Sequence, residues 1–361
     1  MKKQKNSFGR RDAGAAEIVK YLLLSLVIVA GASLCVCHAS CQLSSQGIQA
    51  LGAEESPEIQ GVSVVNASSL EVTFSKPVSV TSASVSKLEL GERASLDATA
   101  KNPVKARAVM SSDKKNAVYV FEKKSELGVR YQLFSEVKDS RGNSLTFAIP
   151  FDGFNERLPR CVFTEVQPKA RSSKDGAESP YVIIRALEEG NLSGMDLRCV
   201  KKDKTYSLPK IEVSKGEEII LHLRMTKDEK ACQSELGNDL ALASSGRSSP
   251  VKRDLFFDLG VPLDEKNDLL LLRDRNANKT IEALTYFTPE KDMSVKWNFS
   301  EALQKAISDK AWEGNAGAAS AVSFEGGGTT KPLVRTDIPS PEERRPSSKY
   351  DWTVSKESVY K

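Results

Sequence analysis

Histidine is almost missing from this chain: two occur in 361 residues, His38 and His222. His38 sits in an N-terminal leader, so His222 is the one imidazole left for acid–base or metal chemistry in the body of the protein. That excludes any site built on several histidines, and a zinc site would need His222 joined by cysteines or carboxylates distant in sequence. No Gly-x-Ser-x-Gly nucleophile elbow accompanies it. Gly326-Gly-Gly-Thr-Thr330 lacks the lysine and helix start of a phosphate-binding loop and reads as a plain loop. Adjacent acids such as Glu188-Glu189 and Glu217-Glu218 would point to opposite faces of a strand, so they cannot jointly flank a scissile bond. The sequence predicts no catalytic, cofactor-binding or metal-binding residue, with His222 expected as an exposed or half-buried strand residue facing away from Leu221 and Leu223.

An excess of either charge is also missing. The chain has 52 Lys+Arg and 48 Asp+Glu; its first 40 residues hold six and two of these, which leaves 46 of each. A balanced chain has no long-range pull toward nucleic acid, and none is expected as a partner. Cysteine is sparse: three of the six lie within the first 41 residues and three are Cys161, Cys199 and Cys232. Their spacing fits no zinc pattern, and an odd number cannot all pair within the chain. One pair with a free thiol and three unpaired thiols are both open; buried, unpaired thiols are the default expectation.

What is present is most informative at the start. Lys2, Lys3, Lys5, Arg10, Arg11 and Lys20 precede an apolar run from Tyr21 to Val36, and small residues follow. This is the order of an export signal. We read residues 1–40 as a cleaved signal peptide. The apolar run is somewhat shorter than the roughly 20 residues of a membrane-crossing helix. A retained single-span anchor is the alternative. Ala39-Ser40-Cys41 resembles the lipobox of bacterial lipoproteins, in which the cysteine is acylated and becomes the new N-terminus. Cys35 and Cys37 follow Leu34 and Val36 and fit less well. The family's aliphatic position three before the cysteine holds His38 here. The resemblance implies lipidation at Cys41 and a lipid bilayer as partner. Polar residues 41–57 then read as a flexible tether.

The remainder is expected to be all-β: two Ig-type β-sandwich domains in tandem, at 58–156 and 157–361. In the first, Leu70, Val72 and Phe74 alternate with polar neighbours, as do Leu145, Phe147 and Ile149. Ala117–Phe121 and Val129–Phe134 are β-branched and aromatic. Val72-Thr-Phe-Ser-Lys-Pro-Val78, Tyr131 and Val137-Lys-Asp-Ser-Arg-Gly-Asn-Ser-Leu145 together resemble the bacterial Ig-like repeat. Asp139 and Asn143 can close a turn in which Gly142 supplies positive φ; one Asp and one Asn fall short of a calcium shell.

The second stretch offers strands at Leu158–Val166, Tyr181–Ala186, Gly190–Leu197, Glu217–Arg224, Asp254–Leu259, Asp268–Arg273 and Thr280–Tyr286. A long insert spans Thr226–Arg253. Glu165, Tyr181, Asn191-Leu-Ser-Gly194, Gly216–Leu221, Asp268–Asp274, Leu333–Asp337 and Tyr350–Ser355 occur in an order that resembles the lamin-tail domain. That family's hairpin carries glycine after the aspartate; here Asp274 is followed by Arg275, Asn276, Ala277 and Asn278, so an asparagine must take positive φ. Ser300–Lys310 predicts a helix, capped by Asn298 or Ser300, with Leu303, Ile307 and Ala311 on its core stripe beside Trp312. Residues 339–349, rich in Pro and charge, predict a mobile loop. The resulting expectation is a non-catalytic lipoprotein of the bacterial cell envelope. It would lie on the periplasmic side or the cell surface and bind an unknown envelope protein or polymer through loop tips or strand edges. The alternative is an accessory subunit or cryptic hydrolase of the envelope.

Overall fold

The computed structural model describes residues 49–52, 56–89, 92–96, 103–169, 171–173, 176–178, 180–224, 232–243, 249, 251–257, 263–289, 298–324 and 331–355. It is an all-β protein. The first eight strands are β1 (Gln49–Gly52), β2 (Ile59–Asn66), β3 (Ser69–Phe74), β4 (Ser79–Lys87), β5 (Val104–Met110), β6 (Asn116–Phe121), β7 (Arg130–Lys138) and β8 (Ser144–Asp152). Their order across the sheet is β1-β8-β7-β4-β5-β6-β3-β2. This is one ladder bent into two facing layers, because β5 pairs with β4 at one end and with β6 along most of its length. Leu70, Val72 and Phe74 of β3 are fully buried between the layers against Leu133, Phe147 and Ile149. Phe147 stands edge-on to Tyr119, so alternation, burial and aromatic packing agree.

Part of the segment expected to be a flexible tether is ordered: β1 pairs antiparallel with β8, Gln49 opposite Ala148 and Gly52 opposite Leu145. The physical reason is the edge of β8, whose unpaired backbone groups are satisfied by the preceding chain. The Asp139 turn forms as expected. Its carboxylate accepts the backbone N–H of Arg141 and Asn143 and the Asn143 side-chain amide, and Gly142 has φ +88°.

The following elements are β9 (Cys161–Gln167), β10 (Arg171–Ser173), β11 (Gly176–Glu178), β12 (Tyr181–Ala186), β13 (Gly190–Asn191), β14 (Met195–Cys199), β15 (Lys204–Ser207), β16 (Glu212–Val213), β17 (Glu218–His222), β18 (Arg253–Phe256), β19 (Asn267–Asp274), β20 (Lys279–Phe287), α1 (Ser300–Ser308), β21 (Val322–Ser323), β22 (Leu333–Arg335) and β23 (Trp352–Val354). One sheet runs β18-β17-β12-β9-β22-β23 and the other β15-β14-β19-β20-β21. A second apolar core fills the space between them, from Phe163, Val182 and Leu221 to Leu197, Leu270 and Leu284. In the β19–β20 hairpin Asn278 adopts φ +48°, as the missing glycine requires. Asp274 closes that turn by accepting the N–H groups of Asn276 and Ala277.

Helix α1 is shorter than its sequence pattern and starts differently. Phe299 occupies the cap position and no side chain bonds the first turn. Phe299 is buried in the core, so packing rather than Asn298 or Ser300 fixes where the helix begins. Leu303 and Ala306 form its buried edge, with Ile307 only half-buried. The helix packs on β20 and is tied there by the Thr280 N–H, which donates to Asp309.

Residues 339–349, expected to be mobile, are pinned. Arg345 bonds both oxygens of Asp351 at 2.9 Å and also pairs with Asp337 and Glu343. Arg344 pairs with Glu188, Arg160 donates to the carbonyls of Ser340 and Pro341, and the Ser347 N–H donates to Ala311. Charged residues that read as a solvated run instead find partners distant in sequence. Beneath them Arg335, buried against Trp352, bonds Glu282, Ser347 and Asp351.

The two cores meet at the β19–β20 turn. The Val64 N–H donates to the Asn276 carbonyl at 2.9 Å, and Arg275 pairs with Asp152 at 3.0 Å. Asn155, in the connection, donates to the carbonyls of Asn191 and Ser193.

Candidate recognition groove

Strand β5 starts on β4, with Ser84 opposite Lys105 and Val85 opposite Val104; the ladder stops there, and the two sides meet again only where the Val78 N–H donates to the Lys114 carbonyl at 2.9 Å. From Ala106 to Met110 it pairs with β6, while residues 79–83 of β4 stay on β7. The two strands therefore splay, and each turns an unpaired edge toward the gap. No ladder joins the two edges along this stretch; on β4, irregular between Val80 and Ser82, the Ser82 carbonyl accepts the Ser135 hydroxyl instead. The result is a groove of about 890 Å³. Its floor is Val80, Ala83, Ala106, Ala108 and Met110, which pack on the first core. Ser79, Thr81 and Ser82 form one rim, and Lys105, Arg107, Lys114 and Glu122 form the other. All of these rim residues are exposed. No ion pair engages the three cations among the described residues.

The residues singled out by sequence lie elsewhere. Cys41 and Gly326–Thr330 fall outside the described residues. His222 is not exposed or half-buried: its side chain is 1% accessible. It does face away from Leu221 and Leu223, but the segment around Glu235 covers that outer face. The parallel register sets His222 beside Phe256, with ring centroids 4.3 Å apart. His222 Nε2 lies 2.6 Å from Asp254 Oδ1. Asp254 also accepts the Ser249 N–H, and its own N–H donates to Glu235. Glu235 in turn accepts the Ala243 N–H. Arg253 donates to the Glu235 and Gly237 carbonyls and to Glu217. Nearby, the buried Tyr181 hydroxyl donates to Glu165. These groups clamp the insert onto the sheet. Glu217 and Glu218 are each taken by a cation, Arg253 and Lys252.

Cys161 and Cys199 are buried thiols, and burial raises both well above the ordinary thiol range. Cys232 departs from the expectation of burial and is half-exposed, because it lies in the insert rather than in a core strand.

A second concavity, of about 460 Å³, lies between β20, the end of α1 and the pinned loop, with Glu282 at its floor. Desolvation pushes the Glu282 carboxyl up to about 7 even though Arg335 and Ser347 bond it. The sequence reading missed this acid, and it missed the groove. A signal for the groove existed: Val104, Ala106 and Ala108 alternate with Lys105, Arg107 and Val109.

No curated protein matches this chain. Among solved structures, a DUF4876 family protein from Bacteroides thetaiotaomicron VPI-5482 is similar at 11% identity and TM-score 0.29, over 76% of this chain and 88% of that one. The N-terminal part of the bacterial S-layer protein SbsC is similar at 12% identity and TM-score 0.22, over 65% of this chain. This chain spans 44% of that S-layer structure. A family model described as TP_1001 protein second domain matches residues 159–354, more than half of the sequence and all of the second core. The chain belongs to the TP_1001 second-domain family.

Proposed function

We propose that this chain is a non-catalytic binding and structural module of a bacterial cell envelope, anchored by lipid at Cys41. Its two β units, of Ig-like and lamin-tail type, hold a recognition groove out from the membrane, on the periplasmic side or the cell surface. The observation that carries the recognition reading is the splayed β4–β5 seam, where two unpaired strand edges flank an apolar floor. Such edges bind an extended partner through main-chain hydrogen bonds, and the side-chain pockets between them set specificity. A lipid anchor would confine the groove near other envelope components and raise their effective concentration. The export-signal pattern before Cys41 supports the location.

Two measurements test this. Metabolic labelling with a clickable fatty acid should mark the wild type and spare Cys41→Ser; equal labelling removes Cys41 as the acceptor. A photo-crosslinking residue placed at Ser82 or Arg107 in cells should give discrete adducts that the same residue at exposed Lys124 does not. Adducts that are absent, or equal from all three positions, refute the groove as the recognition surface.

A further inference from the structure

We infer that the β4–β5 groove takes an extended acidic polypeptide segment as an added strand; this rests on the recognition reading above and names its partner chemistry. The first argument is backbone geometry. Residues 79–83 and 106–110 each leave one edge without a strand partner, and a chain with regularly spaced amide N–H and C=O groups can replace the water on such an edge group by group. Five residues of strand correspond to about 17 Å of partner, or five to six residues of extended chain. A polysaccharide offers hydroxyls and carboxylates but no ladder.

The second argument is charge. Glu122 is the one acid among the lining residues beside Lys105, Arg107 and Lys114, and no ion pair engages the three cations among the described residues. Arg107 lies on the unpaired edge itself, Lys105 at the last β4–β5 pair where the gap opens, and Lys114 on the β5–β6 turn at its other end, so the cations span the length of the groove. Lys105 and Arg107 are two residues apart on β5, so their side chains leave the same face about 7 Å apart. Carboxylates at alternate positions of an added strand share that repeat, and opposed charges across a strand pair favour pairing. The third argument is the floor. Alanine at 83, 106 and 108 leaves room for the partner's inward side chains, and Met110 gives an adaptable wall. The preferred segment therefore alternates acidic and small apolar residues.

The test uses the chain from Gln42 onward and fluorescein-labelled peptides in anisotropy titrations. The probes are Thr-Glu-Val-Glu-Val-Glu-Thr, the same peptide with Lys for Glu, and the acidic peptide with its central Glu replaced by Pro. The acidic peptide should bind at least tenfold more tightly than either of the others, and its binding should weaken with salt. Lys105→Glu combined with Arg107→Glu changes only exposed side chains and should reverse the preference to the lysine peptide. Equal binding of the acidic and lysine peptides refutes the charge assignment. Equal binding of the proline peptide refutes strand addition and leaves a simple anionic polymer as the ligand. If crosslinks from Ser82 and Arg107 form while the peptides do not discriminate, the groove stands and the acidic-strand inference falls. If crosslinks fail as well, both fall.

Discussion

Glu282 makes the stability of this protein depend on pH in the direction opposite to that of most carboxylates. Burial pushes its carboxyl from 4.5 up to about 7, against the pull of Arg335 and Ser347. Because the folded-state value lies above the unfolded one, the native chain holds this proton longer. Its contribution is complete below the ordinary carboxylate range and is lost as pH rises through 7. The difference of two to three pH units corresponds to about 3 kcal/mol at 1.36 kcal/mol per unit. Asp268, pushed up to about 6 by burial, acts in the same direction. Denaturant unfolding followed by tryptophan fluorescence suits this test, since the tryptophans, Trp297, Trp312 and Trp352, all lie in the C-terminal part of the chain. Wild type should be a few kcal/mol more stable at pH 5.5 than at pH 8. Glu282→Gln keeps the shape and an acceptor for Ser347, so it should remove most of that slope. A wild type that gains stability between pH 5.5 and 8, or a variant with an undiminished slope, would refute the reasoning.

The other expectations are briefer. Asp254→Ala removes the His222–Asp254 contact and the Ser249 bond that help clamp the insert, and should destabilise the second core by about 3 kcal/mol in the same unfolding assay. Asp139→Ala removes three hydrogen bonds that close an exposed turn and should cost about 1–2 kcal/mol, with the loss read from hydrogen exchange in β7 and β8. In the chain from Gln42, a thiol reagent should modify Cys232 quickly and reach Cys161 and Cys199 only on unfolding; three equally fast thiols would contradict the burial. A gel shift with duplex DNA at physiological salt should show no complex.

Strands whose two faces differ strongly in polarity were legible in the sequence. Leu70, Val72 and Phe74 announce β3, and the Leu-rich run from 269 to 272 announces β19 because both its neighbours bury it. Strand β4 was not legible: Ser, Thr and Ala dominate it, and neither face of Thr81-Ser-Ala-Ser84 carries a hydrophobic pattern. The burial of His222 was hidden for a different reason. Its alternation with Leu221 and Leu223 correctly set the opposite face, but what covers that face is Glu235, thirteen residues further along in an insert with no period of its own. The pinned loop at 339–349 shows the same limit, since the partners of Arg344 and Arg345 include Glu188, remote in sequence. Local pattern reports an element; the partners that cover or tether it are set by the tertiary fold.

The open seam itself follows from topology. A strand that belongs to both layers of a bent sheet can pair with β4 only where it starts, so some gap beyond Ser84–Lys105 is unavoidable. Its lining is not dictated in the same way. A gap that served nothing would gain by being filled, at about 0.8 kcal/mol per buried methylene. Instead positions 83, 106 and 108 hold alanine, and the rim holds serine, threonine and cations that no ion pair engages among the described residues. That choice separates the accident from the function. Ala108→Leu should fill the floor, raise or leave unchanged the unfolding midpoint of the first core, and abolish binding of the acidic peptide. If the filled variant binds as the wild type does, the alanines are incidental and the seam is only the place where two layers part.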